Sequence, residues 1–195
     1  MIENGNVASG RGKPLLVLVG GAPGAGKSTL ARQLADARDL PLLSKDFFKE
    51  LLADSLKLRT REQVQPIGPA TYAVLFGVAN RLLQGGVDLI VECNFHRGVS
   101  ERELRPLIDQ SRAVLVHCQT TRTNCLDRFR RRAERGERHW VHFDREWLAE
   151  NDAEDVRFNW NVYEPLDLDV PILRVDTTAG YTPDFPEILS FIRSV

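Results

Sequence analysis

Runs of consecutive apolar residues alternate along the chain with segments in which apolar residues recur every three or four positions. The consecutive runs suit strands of a parallel sheet buried on both faces, and they cover residues 15–19, 41–43, 87–93, 113–118 and 172–175. The helical spacing occurs in residues 27–37, 69–83 and 124–135, and again after Asp184. This alternation predicts a three-layer α/β fold, in which a mainly parallel five-stranded sheet is flanked by helices.

Length and composition narrow the class of protein. The chain has 195 residues, which suits one domain, and we assign it to residues 14–195 after a flexible N-terminal tail at residues 1–13. A formal net charge of −1 lacks the global basic signature of a nucleic-acid binder. The polar tail lacks the apolar segment of a signal peptide, and no apolar run approaches the length of a membrane span. Cys93, Cys118 and Cys125 lie in or beside apolar segments, as reduced thiols do, so we expect a soluble cytoplasmic protein.

A glycine-rich segment follows the first predicted strand directly. Residues 21–28 match the phosphate-binding pattern G-x-x-x-x-G-K-[ST] and lead into a predicted helix. Glycine lets backbone N–H groups turn inward around phosphate oxygens, while Lys27 can reach the β- and γ-phosphates and the Ser28 hydroxyl can ligate Mg²⁺. We therefore expect a P-loop NTPase fold that binds a nucleoside triphosphate with Mg²⁺, and Lys27 is a predicted catalytic residue. The predicted nucleotide-binding residues are Gly21, Ala22, Pro23, Gly24, Ala25, Gly26, Lys27, Ser28 and Thr29.

Asp46 lies near the carboxyl end of the second predicted strand, where ligands gather in parallel α/β sheets. A carboxylate there can accept the proton of a hydroxyl that attacks the γ-phosphate, or help to hold Mg²⁺ through water. Asp46 is therefore our candidate catalytic base and a candidate metal ligand. It also fits the N-cap of a helix, and the two roles are compatible. Lys45 and Lys49 fit either pairing with substrate anions or an ordinary solvated surface.

Glu92 ends the third predicted strand, which is otherwise apolar. P-loop NTPases place an acidic residue at this position to orient Mg²⁺ or its waters. An unpaired buried carboxylate would cost several kcal/mol, so packing alone does not explain it. We predict that Glu92 takes part in metal binding with Ser28 and Asp46.

Arginines occupy one face of the predicted helix at residues 124–135. Arg128, Arg131, Arg132 and Arg135 share this face, and because like charges repel, we expect acidic side chains or a triphosphate beside them. Arg128 and Arg132 are predicted to be catalytic, by stabilising charge on the transferring phosphoryl group, and Arg128 also to grip the nucleotide.

A glycine at position 136 ends this helix and begins a predicted small helical lid at about residues 136–150, which would exclude water from the site. His139, His142 and Asp144 lie in this segment. They are not expected to bind zinc, because no fourth ligand occurs at a suitable spacing.

The chain resembles the small P-loop kinases of the group that includes chloramphenicol phosphotransferase, the zeta toxins and the kinase domain of bacteriophage polynucleotide kinase. The resemblance covers residues 15–195 and is carried by residues 20–29, 44–46, 91–94, Arg128, Arg132, 139–144 and 173–177. It implies ATP-dependent phosphorylation of a hydroxyl group, with Asp46 activating the acceptor and the lid arginines contacting phosphates. It also implies that Thr177 borders the adenine pocket.

Two positions depart from the pattern of these kinases. Glu92 stands where many relatives have Asp, and the lid reads His-Trp-Val-His where many have His-Pro-Gly-His. Both positions bear on metal coordination and on the choice of substrate.

Sequence motifs distinguish this chain from other classes of P-loop protein. The N-K-x-D and D-x-x-G motifs of regulatory GTPases are absent, and residues 92–97 differ from the loop of nucleoside monophosphate kinases. The favoured partners are ATP and a small molecule bearing a hydroxyl group. A polynucleotide 5′-hydroxyl kinase and an ATPase or nucleotide sensor without an acceptor stay open as alternatives.

Overall fold

A computed structural model describes residues 12–150 and 160–195, so the predicted tail at residues 1–13 lies almost wholly outside the described residues. Its five-stranded sheet has the order β2-β3-β1-β4-β5, and every strand pair within it is parallel. The strands are β1 (Leu15–Gly21), β2 (Leu42–Ser44), β3 (Leu89–Glu92), β4 (Arg112–Gln119) and β5 (Ile172–Asp176). Each one overlaps a predicted apolar run, with bounds shifted by up to two residues.

Helices connect the strands and cover both faces of the sheet. They are α1 (Lys27–Arg38), α2 (Lys45–Ser55), α3 (Arg61–Val64), α4 (Ile67–Gln84), α5 (Ser100–Asp109), α6 (Arg122–Arg135), α7 (Asp144–Glu150) and α8 (Phe185–Arg193). Short 3-10 helices lie at Trp140–His142 and Trp160–Tyr163. None of the helices in the described part of the chain is long and apolar enough to cross a membrane.

The sheet separates two apolar cores. Leu15, Val17 and Val19 of β1 pack with α1 and α8 on one face, whereas Leu16 and Leu18 pack with α4 and α5 on the other. Alternate residues of a strand point to opposite faces, so a fully apolar strand such as β1 can be buried on both. The predicted three-layer α/β P-loop fold is confirmed.

A third, smaller core lies beside the sheet. It joins α2, α3 and α4 to the segment after α6, through Ala53, Val64, Ile67 and Val141. We call residues 136–150 the lid segment. The short α3 was not predicted, since four residues are too few for a helical period to be detected in the sequence.

The register of the sheet brings polar residues together at its carboxyl edge. Glu92 at the end of β3 is aligned with Val19 of β1 on one side and with Ser44 of β2 on the other. The loop after β1 and the start of α2 therefore meet at Glu92, and this edge forms the candidate site.

Candidate active site

The phosphate loop joins β1 to α1 through glycines that no other residue could replace without strain. Gly21, Gly24 and Gly26 have φ values of 135°, 79° and 83°. A Cβ on Gly21 would lie 2.2 Å from the carbonyl oxygen of Cys118, and one on Gly24 would lie 2.4 Å from that of Cys125. The loop is therefore pressed against β4 and α6, which fixes its backbone for phosphate binding.

Lys27 is the first residue of α1 and is only 6% exposed. Its ammonium group donates a hydrogen bond to the carbonyl oxygen of Ala22 across the loop, at 2.8 Å. The exposed side chains of Ser28 and Thr29 line a cavity of about 330 Å³ with Lys27, Gly24 and other loop residues. Pro23 and Gly26 also line it, whereas Gly21 and Ala25 are buried behind the loop.

Glu92 is buried at the floor of this cavity and is held by two hydroxyl groups. Its Oε1 accepts a hydrogen bond from Ser28 Oγ at 3.2 Å, and its Oε2 accepts one from Ser44 Oγ at 2.7 Å. The side chain is 5% exposed. The carboxylate is thus paired as burial requires, and it lies directly beside the serine of the phosphate loop.

Asp46 lies across the same cavity, in the first turn of α2. The N-cap of α2 is Ser44, so the alternative interpretation of Asp46 as the N-cap is wrong. Its carboxylate forms an ion pair with the guanidinium group of Arg138. Burial acts to raise the pKa of Asp46, but the charge of Arg138, with smaller contributions from His142 and Lys45, outweighs burial and holds this pKa at about 2.

Asp144 connects two arginines beside the cavity. Its carboxylate lies 3.1 Å from Arg138 Nη1 and 3.6 Å from Arg132 Nε, and its side chain is 8% exposed. Within the described residues, Arg132 Nε is buried and has no hydrogen-bond partner, because 3.6 Å exceeds hydrogen-bond range. Asp144 is therefore one of the acidic side chains expected beside the arginine face. The guanidinium group of Arg132 can still donate a hydrogen bond to a further anion.

Arg128 ties the phosphate loop to the end of β5. Its guanidinium group donates to Thr177 Oγ1 at 3.1 Å, to the Thr177 carbonyl oxygen at 2.5 Å and to the Gly24 carbonyl oxygen at 3.3 Å. Thr177 is 5% exposed, and its hydroxyl donates to the carbonyl oxygen of Ala25 at 3.0 Å. The structure places Thr177 behind the loop, where it supports the loop backbone, while Arg128 also lines the cavity.

The lid segment lies against α2. Lys49 Nζ donates to the carbonyl oxygen of Val141 at 3.1 Å, His142 Nε2 lies 2.8 Å from Glu50 Oε1, and His139 Nε2 lies 3.1 Å from Asp54 Oδ1. The two histidines thus have separate carboxylate partners.

Comparison with protein families identifies the class of the chain. The family model described as "AAA domain" matches residues 16–150. The chain belongs to the AAA domain family. This match spans the phosphate loop, Asp46, Glu92 and the lid segment of the AAA domain, and no curated protein matches the chain.

Solved structures share the fold of this AAA domain. A protein from Chloroflexus aurantiacus j-10-fl, described as a candidate kinase, is 33% identical, with a TM-score of 0.80 over 93% of this chain and 98% of its own. A gluconokinase from Sinorhizobium meliloti 1021 is 13% identical, with a TM-score of 0.53 over 94% of each chain. A chain of the Pnkp1/Rnl/Hen1 RNA repair complex is 20% identical, with a TM-score of 0.52 over 66% of this chain and 40% of its own. The resemblance to small P-loop kinases is confirmed.

The side chains of this AAA domain that could hold a metal ion, Ser28, Asp46 and Glu92, would all bind it through oxygen atoms. Mg²⁺ is usually held by one or two carboxylates together with waters and substrate phosphates. Ser28 and Glu92 are already in contact, and Asp46 lines the same cavity, so this donor set fits Mg²⁺. Across residues 12–150 and 160–195, no group of three or more His, Cys, Asp or Glu side chains is arranged to hold a metal.

Arg138 and Ser44 are among the residues of the site that were not predicted from the sequence. Arg138 was placed in the lid but not in the site, although it is the ion-pair partner of Asp46. Ser44 orients Glu92 through the second carboxylate oxygen. A polar residue at the carboxyl end of β2 was the available signal for Ser44, whereas nothing local distinguishes Arg138 from its neighbouring arginines.

Proposed function

We propose that the chain is an ATP-dependent kinase that transfers the γ-phosphate of ATP to a hydroxyl group of a small molecule. The observation that carries this proposal is one cavity of about 330 Å³ with phosphate-binding groups on one wall and Asp46 on the other. A second cavity of about 500 Å³ shares Asp46, Glu92 and Arg138 with it and extends to Phe47. The two together provide room for a donor and an acceptor around one carboxylate. We further propose that residues 14–195 form the kinase domain.

On the donor side, the loop from Gly21 to Thr29 would hold the triphosphate through its backbone N–H groups. Lys27 would exchange its hydrogen bond with Ala22 for the β- and γ-phosphate oxygens. Ser28, Glu92 and Asp46 would hold Mg²⁺, either directly or through water. When bound, Mg²⁺ neutralises charge on the phosphate oxygens. Arg128 would keep the loop in place and contact the nucleotide beside Thr177.

On the acceptor side, Asp46 would hold the attacking hydroxyl group by a hydrogen bond and accept its proton as the new O–P bond forms and the bond to ADP breaks. A pKa of about 2 makes Asp46 a weak base while Arg138 is paired with it. Phosphoryl transfer passes through a loose transition state, so orientation of the hydroxyl group is the larger requirement. Movement of Arg138 towards the transferring phosphoryl group would raise the basicity of Asp46 during transfer.

Arg132 would assist Arg138 in stabilising the transferring phosphoryl group. Its buried Nε atom lacks a hydrogen-bond partner among the described residues, and both guanidinium groups border the cavity. Guanidinium groups suit this task because they donate to two phosphate oxygens at once.

The experiment measures ADP release from ATP and Mg²⁺ with and without hydroxyl compounds, including nucleosides, sugars, antibiotics and 5′-hydroxyl oligonucleotides. We expect slow release from ATP alone and a marked increase with at least one small molecule. Release that is fast and independent of any acceptor would instead indicate an ATPase. A response to oligonucleotides alone, falling steeply with added salt, would indicate a polynucleotide kinase.

A further inference from the structure

A cavity of about 490 Å³ lies between α2, the α3–α4 region and the lid segment, apart from the phosphate loop. Lys49, Arg61, Gln65, His142 and Phe143 contribute to its walls. This volume is in the range that holds a small organic ligand. Lys49 and Arg61 are the cationic lining residues, the exposed Glu62 is an acidic one, and Arg61 is already engaged in another interaction.

Lys49 is the unusual member of this lining. It is half-buried, and its ammonium group donates one hydrogen bond to the carbonyl oxygen of Val141 at 3.1 Å. Across the described part of the chain it forms no ion pair. Burial lowers its pKa to about 8, with a further contribution from the charge of Lys45. A partly desolvated ammonium group without a carboxylate partner favours an anionic ligand.

His142 does not compete for this role at neutral pH. Burial, assisted by the charge of Arg138, lowers the pKa of His142 to about 3, so its imidazole is neutral. Its Nε2 is engaged with Glu50. His142 therefore contributes a neutral wall, and the ammonium group of Lys49 is the charge in this cavity that an anion can meet.

Lys49 is placed one helical turn after Asp46. Residues three apart on a helix share a face and are separated by about 4.5 Å along the axis. The two groups also interact electrostatically, since the charge of Asp46 acts to raise the pKa of Lys49. Asp46 and Lys49 line different cavities, but their side chains start from neighbouring positions on one face of α2, within the span of a small molecule.

We propose that the acceptor is a small hydroxy compound that carries a carboxylate or phosphate group, and that Lys49 binds this anionic group. This assignment rests on the proposed kinase function. Lys49 thereby selects among acceptors, while Asp46 acts on the hydroxyl group that all of them share. The solvated-surface interpretation of Lys49 does not fit its burial.

The first test needs no turnover. Lysines are acetylated with limiting acetic anhydride and mapped by mass spectrometry, in the presence of inorganic phosphate, malonate or sodium chloride at equal ionic strength. We expect phosphate or malonate to slow acetylation of Lys49 several-fold relative to chloride, and the responsive anion distinguishes phosphate from carboxylate recognition. The exposed Lys57 near the end of α2 serves as an internal control with an unchanged rate. Equal labelling of Lys49 under all three conditions overturns the proposal.

The second test measures acceptor-dependent ADP release with hydroxy acids, phosphorylated alcohols and uncharged polyols of matched carbon number. We expect activity with one of the anionic classes, and we expect Lys49→Ala to raise its KM by about 10- to 100-fold with little change in kcat. Lys49→Arg should restore most of the affinity, and Lys57→Ala should leave KM unchanged.

Activity with polyols alone, insensitive to Lys49→Ala, would overturn the acceptor assignment and leave the kinase function standing. An absence of stimulation by every hydroxyl compound would overturn the kinase function, and the acceptor assignment with it. The two failures are therefore distinguishable.

Discussion

The guanidinium group of Arg138 is paired with the carboxylate of Asp46, although 92 residues separate them in the chain. The same guanidinium group lies 3.1 Å from Asp144, so Arg138 is shared between two carboxylates. Asp46 therefore stays ionised and paired with Arg138 as long as no phosphate group of a ligand binds Arg138 instead. In the proposed kinase, this arrangement would disfavour activation of water by Asp46 and so limit hydrolysis of ATP.

Replacing Asp46 by Asn preserves its shape and removes its charge. We expect ATP binding to be retained, and phosphoryl transfer to fall by about 10²- to 10⁴-fold, the range typical of losing a general base. Nucleotide titration and rapid-quench measurement of transfer separate these two effects. Transfer at close to the wild-type rate would remove Asp46 from its assigned role.

Lys27→Ala should abolish turnover with the fold retained, because the triphosphate loses the point charge that faces its β- and γ-phosphates. Circular dichroism reports the fold and ADP release reports turnover. Lys13→Ala is the matched control, since Lys13 is exposed at the opposite edge of the sheet and, among the described residues, its side chain donates to the Asp109 carbonyl oxygen. Normal turnover in Lys27→Ala would refute the loop assignment itself.

Arg128→Ala should act on stability as well as on activity. The substitution leaves the Gly24 and Thr177 carbonyl oxygens without a charged donor, which we expect to lower the free energy of unfolding by about 1–3 kcal/mol and to weaken ATP binding. Thr177→Val should reproduce part of the loss by removing only the hydroxyl. Urea unfolding with nucleotide titration tests this. A fall in kcat with unchanged stability and affinity would instead mean that Arg128 acts only on the transferring group.

The pH dependence of kcat/KM should report the charge of Lys49 in the free enzyme. Lys49 is protonated below its pKa of about 8 and neutral above it. With an anionic acceptor, kcat/KM should therefore decrease as the pH rises through about 8. The decrease should be absent in Lys49→Arg, which stays charged. A flat profile through pH 8 in the wild type would contradict the role of Lys49.

The sheet and the phosphate loop were predictable because their signals are local. Strand β1 is apolar on both faces, and the phosphate loop is one continuous motif whose spacing reflects backbone geometry. The surroundings of Asp46 and Lys49 were not predictable in the same way. The pairing of Asp46 with Arg138 and the contact of Lys49 with Val141 join positions 92 residues apart, so they depend on how α2 and the lid segment pack.

Val141 of the lid segment is fully buried among Ala53, Val64 and Ile67. This apolar contact determines which side of the lid segment can open more easily. Exposing a buried valine costs about 1.5–3 kcal/mol, and water cannot compensate for it. The lid segment contacts α6 through the ion pair of Asp144 with Arg132 and the hydrogen bond that Arg145 Nε donates to the Ala133 carbonyl oxygen, and water or phosphate oxygens can replace such contacts. The cheaper opening thus separates the lid segment from α6 and leaves it attached to α2. In the proposed kinase, nucleotide exchange would then proceed while the cavity beside Lys49 stays closed.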